Sequence, residues 1–156
     1  MRQTLLSLAA LLALAAPAIA CDTVTQGDVM LRNAWSRVST GTQQPGVVYV
    51  EITNTGSRDD ALIGLATPAA MMPMLHRTVV ENGVSSMPHV MRIDLPAGQT
   101  VRLTPGDYHA MLMGLVAPLK EGDRFPVTFQ FEQAGAATIS ANVLSLRADP
   151  PVCDGN

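Results

Sequence analysis

The sequence has few aromatic residues, few cysteines and no run of basic residues. Its 156 residues include three Phe, two Tyr and one Trp, and Lys and Arg together number ten. Because no basic cluster is available to neutralise phosphates, the composition argues against a nucleic-acid partner and against an anionic membrane surface. After residue 20 no apolar stretch approaches the length of a transmembrane helix.

The first twenty residues have the pattern of a secretory signal peptide. MRQTLLSLAALLALAAPAIA carries one basic residue, an apolar run and an Ala-Ile-Ala ending before Cys21. The apolar run at 5–15 is too short for a permanent membrane anchor. We therefore expect residues 1–20 to be removed and residues 21–156 to form a single exported domain.

The two cysteines, Cys21 and Cys153, stand at opposite ends of the mature chain. In an oxidising compartment such a pair is expected to form a disulfide that joins the two termini. The alternative to a disulfide is that Cys21 is lipidated and Cys153 is a free thiol. Lipoprotein signals usually have Leu three positions before the cysteine, where this chain has Ala18, so the pattern favours the disulfide.

Short runs rich in Val, Ile, Leu and Thr alternate with Gly, Pro, Asn and Asp at intervals of about ten residues, which predicts an all-β antiparallel sandwich or barrel. No sustained helical period occurs after residue 20. Asn82 and Gly83 predict a tight hairpin turn because both residues tolerate positive φ. The predicted strands are 29–38, 47–54, 61–66, 74–80, 84–93, 100–103, 108–114, 125–131 and 137–143.

Histidine and methionine are concentrated in one third of the mature chain. All three histidines and all but one of the mature methionines lie at 71–113. Because alternate side chains of a strand share a face, His109, Met111 and Met113 of the segment YHAMLMGL should lie together. A single Met is usually core filler, but both residue types clustered at strand spacing favour a metal site.

The ligand types in this cluster predict which metal it would bind. Thioether sulfur favours Cu(I) among biological metals, and imidazole is compatible with it. Zinc sites use Cys, His and carboxylates, and a blue-copper electron-transfer site needs a Cys thiolate. Both cysteines are far from the histidines in sequence. The pattern therefore predicts a Cu(I) site that is not built for electron transfer.

Four of the clustered residues have a distinctive spacing. Ten residues separate His76 from Met87, twenty-one separate Met87 from His109, and one separates His109 from Met111. Together with the segments AWSR, GVVYVEITNTG, YHAMLMGL and PLKEGD, this spacing resembles that of the PCuAC family of periplasmic copper chaperones. The resemblance extends from about Met30 to Val143.

The resemblance implies a fold, a cargo and an acceptor. The fold would be a cupredoxin-like or immunoglobulin-like Greek-key barrel or sandwich, in which the four spaced residues bind Cu(I) near the surface. The protein would be a monomer without enzymatic activity that carries copper to cytochrome c oxidase. Its acceptor would be the copper-site subunit of the oxidase or a Sco-type copper protein.

Three further residues are additional candidate ligands: His89, Met91 and Met113. Period 2 on a strand at 84–93 would place His89 and Met91 on the same side as Met87. Some members of the family carry a His- and Met-rich tail that binds Cu(II). The end of this chain, RADPPVCDGN, has no such tail, so a second copper site of that kind is not expected in this protein.

Other functions remain open at this stage. A periplasmic copper buffer or tolerance protein would use the same ligands. A metal-free exported β-sandwich could serve in adhesion or assembly, with its methionines in the core. A copper enzyme would need an open coordination position and placed acid-base groups, and the only carboxylates at 71–113 are Glu81, Asp94 and Asp107.

Overall fold

The computed structural model describes residues 22–151, and in this range the chain forms twelve strands and no helix. The predicted all-β class is therefore confirmed. Within the same range no helix has the length and apolar character needed to cross a membrane. The strands are β1 (Thr23–Gln26), β2 (Val29–Arg37), β3 (Gly46–Asn54), β4 (Asp60–Ala66), β5 (Ala70–Arg77), β6 (Val79–Glu81), β7 (Val84–Ser86), β8 (Ile93–Leu95), β9 (Thr100–Leu103), β10 (Tyr108–Leu115), β11 (Arg124–Phe131) and β12 (Gly135–Leu144).

Ten of these strands form one curled sheet. Its hydrogen-bonded order is β5-β10-β3-β2-β12-β11-β4-β8, while β1 pairs with β2 and β9 pairs with β3. Neighbouring strands are antiparallel except β12 and β2, which run parallel. The end strands β5 and β8 do not pair with each other, so the described chain forms a half-barrel rather than a barrel closed by hydrogen bonds.

The hydrophobic core lies on the concave side of the sheet. It is formed by every second side chain along the strands. In β3 every second residue is buried, and Val48, Val50 and Ile52 are fully enclosed. Leu112 and Phe129 reach the same core from β10 and β11. Full burial of one such side chain contributes about 1.5–3 kcal/mol, so the inward positions of the sheet are set by the hydrophobic effect.

Two of the predicted strands are wrong in their extent. The segment 74–80 was expected to be continuous, but β5 ends earlier and a separate β6 follows it. The segment 84–93 is interrupted: β7 is short, residues 87–92 are not a regular strand, and β8 begins only afterwards. Pro88 has no amide hydrogen to give to a ladder, which accounts for an interruption at this point.

Two tight turns lie at the end of the sheet where β5 ends and β10 begins. Asn82 and Gly83 have φ of 52° and 79° and join β6 to β7, which confirms the predicted hairpin. In the second turn Asp107 N–H donates to the Thr104 carbonyl at 3.1 Å. Asp107 in turn accepts a hydrogen bond from Thr78 N–H at 3.1 Å. The second turn is thereby tied to the residues that follow β5.

The signal peptide at 1–20 and both cysteines, Cys21 and Cys153, lie outside the described residues. Cleavage, the disulfide and the alternative lipidation of Cys21 therefore stay predictions.

Candidate functional site

Strands β5 and β10 align histidine and methionine in matching pairs on the outer face of the sheet. The residues that alternate with these pairs along the two strands point to the opposite face, and Leu75, Ala110 and Leu112 among them are buried in the core. The two faces predicted for YHAMLMGL are therefore confirmed. The antiparallel register opposes His109 to His76, Met111 to Met74 and Met113 to Met72.

His76 and His109 are neighbours in space. Their ring centroids lie 6.0 Å apart and their planes are inclined by only 19°. Both residues are buried, with 8% and 5% of their surfaces exposed. The ring of His89 approaches the other side of His76 edge-on, at 5.8 Å between centroids. His76 thus lies between the other two histidines, and packing restricts the movement of both buried rings.

The backbone fixes the tautomer of His109. Its Nδ1 lies 2.9 Å from the carbonyl oxygen of Asp107. A carbonyl oxygen can only accept a hydrogen bond, so in neutral His109 the hydrogen is on Nδ1. Nε2 then carries the free lone pair, which is the arrangement that metal-binding histidines commonly use.

His76 has a buried nitrogen without a partner. Its Nδ1 is enclosed and has no partner at ordinary hydrogen-bond geometry, although buried polar atoms are nearly always paired because an unpaired one costs free energy. Burial lowers the pKa of His76, the nearby His109 lowers it further, and a weak interaction with the Met74 backbone offsets this only in part. The neutral imidazole, which is the form that binds metals, is therefore favoured near neutral pH.

A surface depression beside the histidine pair contains the remaining predicted ligands. Met87, His109 and Met111 all line it, and the hairpin of β6 and β7 brings Met87 to this place. Met87 is 52% exposed, so the depression opens to solvent. Tyr49 also lines it, and burial raises the pKa of this phenol, which keeps its hydroxyl neutral. The structure therefore brings three of the four spaced residues to one depression and places the fourth, His76, opposite His109.

The additional candidates are distributed differently from the prediction. His89 and Met91 were expected on the same side of a strand as Met87, and this expectation is wrong because the segment is irregular. His89 instead forms an isolated bridge with His76. It lies with Met91 in a second groove, whereas Met87 lines the first depression. Met113 is two pairs away from the histidines along β10.

Met74 lies next to the predicted ligands but was not itself predicted as a ligand from the sequence. It lies directly opposite Met111 and also lines the groove that contains His89 and Met91. Its signal was present in the sequence, because Met74 precedes His76 by two positions and alternate residues of a strand share a face.

Oxygen ligands are scarce around this site. Within residues 22–151 no group of three or more His, Cys, Asp or Glu is placed to hold a metal ion. The Asp107 carboxylate is engaged by Arg77 Nε at 3.3 Å, and Asp94 is engaged by Arg92 Nε at 2.7 Å. A metal site here would depend on thioethers, and thioethers select soft ions such as Cu(I) over hard divalent ions.

Comparison with known proteins gives the family. A family described as "Putative lipoprotein LpqE-like" matches residues 29–143. "Putative lipoprotein Lxx21020" of Leifsonia xyli is 33% identical over 129 residues, which cover 81% of this chain and 76% of that protein. "Uncharacterized protein RP573" of Rickettsia prowazekii is 26% identical over 116 residues, 70% of this chain and 62% of that protein.

Solved structures of PCuAC-type proteins have a fold similar to that of this chain. The copper-bound PCuAC domain from PmoF2 superposes with a TM-score of 0.68 at 23% identity, covering 80% of this chain and 98% of that domain. The solution structure of Cu(I)-DR1885 from Deinococcus radiodurans gives a TM-score of 0.60 at 29% identity. The superposition covers 74% of this chain and 77% of that protein. By its match over 29–143, the chain belongs to the LpqE-like family, the family of PCuAC-like proteins, and it has their cupredoxin-like fold.

Proposed function

We propose that this protein is an exported copper chaperone that binds Cu(I) through His76, Met87, His109 and Met111. The observation that carries the proposal is the direct pairing of the two histidines beside the depression that contains both methionines. The copper-bound PmoF2 domain and Cu(I)-DR1885 support the choice of cargo, since they share the fold.

The chemistry of the four side chains suits a carrier. Two thioethers and two neutral imidazoles match Cu(I) in softness, and thioethers bind Cu(II) comparatively poorly. The buried histidines hold their positions, while the exposed Met87 can leave the metal when a partner approaches. A copper-free acceptor with thiolate ligands would bind Cu(I) more strongly, so transfer would run toward it in the Cu(I) state.

We propose a binding protein rather than an enzyme. Substrate chemistry at copper would need acid-base groups aimed at an open coordination position. The carboxylate nearest to the histidine pair in sequence, Asp107, is half exposed and engaged by Arg77. This arrangement supports a structural role for Asp107, whose backbone carbonyl fixes the tautomer of His109.

We further propose that the acceptor is cytochrome c oxidase, reached either through its copper-site subunit or through a Sco-type copper protein. This step rests on the family to which the chain belongs. Export to the periplasm agrees with the lipoprotein description of the family and of the Leifsonia xyli relative. A monomer with an open site would be free to dock on such an acceptor.

Deletion of the gene in its native host tests delivery. Under copper limitation the deletion should lower cytochrome oxidase activity, and added copper should restore it. A plasmid copy should complement the deletion, a copy with His109→Gln and Met111→Leu should not, and a Met72→Leu copy should behave as wild type. If oxidase assembly stayed intact at every copper level and only tolerance of excess copper fell, the protein would be a copper buffer.

A further inference from the structure

The curled sheet leaves a seam between β4 and β5, and residues 87–92 cross it. Backbone hydrogen bonds tie this segment to β5: Arg77 N–H donates to the Pro88 carbonyl at 3.2 Å, and Val90 N–H donates to the Leu75 carbonyl at 2.9 Å. The chain then continues into β8, which pairs with β4. The resulting seam groove is lined by Ile63, Leu65, Pro73, Met74, His89 and Met91, among others.

The seam groove contains its own set of soft ligands. Met74 lies on a regular strand, and His89 is held between the two backbone hydrogen bonds that its neighbours make with β5. Met91 is 81% exposed and extends from the same segment. Two thioethers and one imidazole therefore line one groove, and no carboxylate is among its lining residues.

We propose that the seam groove is a second Cu(I) site, with Met74, His89 and Met91 as its ligands. The inference rests on the proposed function for the identity of the ion and adds a second binding place to it. The two sites share no ligand, yet they are adjacent: His76 of the first site lies 5.8 Å from the His89 ring, and Met74 is the cross-strand partner of Met111.

The second site is the weaker of the two. It offers three ligands rather than four, and the exposed Met91 must lose side-chain freedom when it binds. The first site starts from two buried and oriented histidines, so less ordering is needed there. Cu(I) should therefore fill the His76 and His109 site first and the seam groove second.

The test is a titration of the mature protein, carrying ¹³C-labelled methionine methyl groups, with Cu(I) under anaerobic conditions. The NMR signals of Met87 and Met111 should shift during the first equivalent, and that of Met91 during the second. A double variant, His89→Ala with Met91→Leu, should lose the second step and keep the first. Met72 is the matched control, because it is an exposed methionine on β5 outside the seam groove.

The outcomes separate this inference from the proposed function. If the first step occurs and Met91 never shifts, the seam groove is not a site while the chaperone proposal stands. If Met91 shifts together with Met87 in the first equivalent, there is one shared site and the inference is wrong. If Met72 shifts along with Met91, the binding is unspecific and the inference is again wrong. Absence of the first step contradicts the proposed function itself.

Discussion

His76 and His109 are direct partners across β5 and β10, with stacked rings whose centroids lie 6.0 Å apart. The two residues differ in how their Nδ1 atoms are satisfied. In His109 this nitrogen donates to the Asp107 carbonyl, and in His76 it is buried without a partner at ordinary hydrogen-bond geometry. The pair is therefore held by packing and by one backbone contact, and it lies next to exposed thioether sulfur.

Removal of one thioether should weaken Cu(I) binding without disturbing the fold. Met111→Leu keeps the apolar volume and removes the sulfur, so we expect a loss of at least about tenfold in affinity, about 1.4 kcal/mol. Competition with a chromophoric Cu(I) chelator measures it. Met113→Leu is the matched control, because this residue lies on the same face of β10. An equal loss in both variants, or a larger loss from His89→Ala than from His109→Ala, would show that the ligand set is wrong.

Cu(I) affinity should depend on pH. Imidazole must be neutral to bind a metal, so protons compete for the site as the pH falls below about 6.5, the ordinary range of histidine. Because the pKa of His76 is lowered, protons compete with the metal at this residue only at a lower pH. Chelator competition between about pH 8 and about pH 5 measures the profile. A flat profile would indicate a site made of thioethers alone.

The stability of the copper-free protein should fall on acidification. Because the pKa of His76 is lower in the folded than in the unfolded chain, the unfolded chain binds more protons as the pH drops below about 6.5. The free energy of unfolding therefore decreases as the pH falls from about 6.5 to the folded-state pKa, and it does not depend on His76 above about pH 6.5. Urea unfolding at several pH values should show a smaller acid loss in His76→Gln. An unchanged slope in that variant would contradict the assignment.

Bound copper should stabilise the protein against heat. A ligand that binds only the folded state adds about 2.7 kcal/mol at a free concentration one hundred times its Kd. Calorimetry with and without Cu(I) should therefore show a rise in Tm that is much smaller in a variant with His109→Gln and Met111→Leu, in which only the weaker seam groove could still bind the ion. An unchanged Tm in the wild type would favour a metal-free β-sandwich whose methionines only pack.

Gly114→Ala should destabilise the strand that carries His109 and Met111. Gly114 has φ of 66°, and an added Cβ would lie 2.8 Å from Met71 Cε. Left-handed backbone costs a residue with a Cβ roughly 1–2 kcal/mol, and urea unfolding should detect a loss of that size. Gly64→Ala is the control: its Cβ would meet only Gln130 at 3.9 Å, so it should be neutral or slightly stabilising. Equal effects would contradict the explanation.

If Cys21 and Cys153 are joined, reduction should lower thermal stability by a few kcal/mol at most, since the bridge would close nearly the whole mature chain. Cu(I) affinity should be unchanged because the proposed ligands lie elsewhere. Mass spectrometry of protein from the native host decides the state of both residues. A diacylglyceryl group on Cys21 would replace the disulfide by a membrane tether.

Local patterns predicted the parts of this fold that depend on local physics. Alternation in YHAMLMGL identified β10 and both of its faces, and the dipeptide Asn82-Gly83 identified the hairpin because its backbone needs positive φ. Register is a tertiary property, so the pairing of Met74 with Met111 was not visible in either segment alone. The interruption at 87–92 was missed for a similar reason, since three apolar or imidazole residues at period 2 imitate a strand across Pro88.

X-ray absorption spectroscopy of the mature protein loaded with one equivalent of Cu(I) identifies the ligands of the first copper ion. If His76, Met87, His109 and Met111 bind this ion, the spectrum should show a Cu(I) edge and a coordination shell with two sulfur atoms and two imidazole nitrogen atoms. The sulfur contribution should fall in Met111→Leu, and the nitrogen contribution should fall in His109→Gln. A shell of sulfur alone, or of nitrogen alone, would contradict this ligand set.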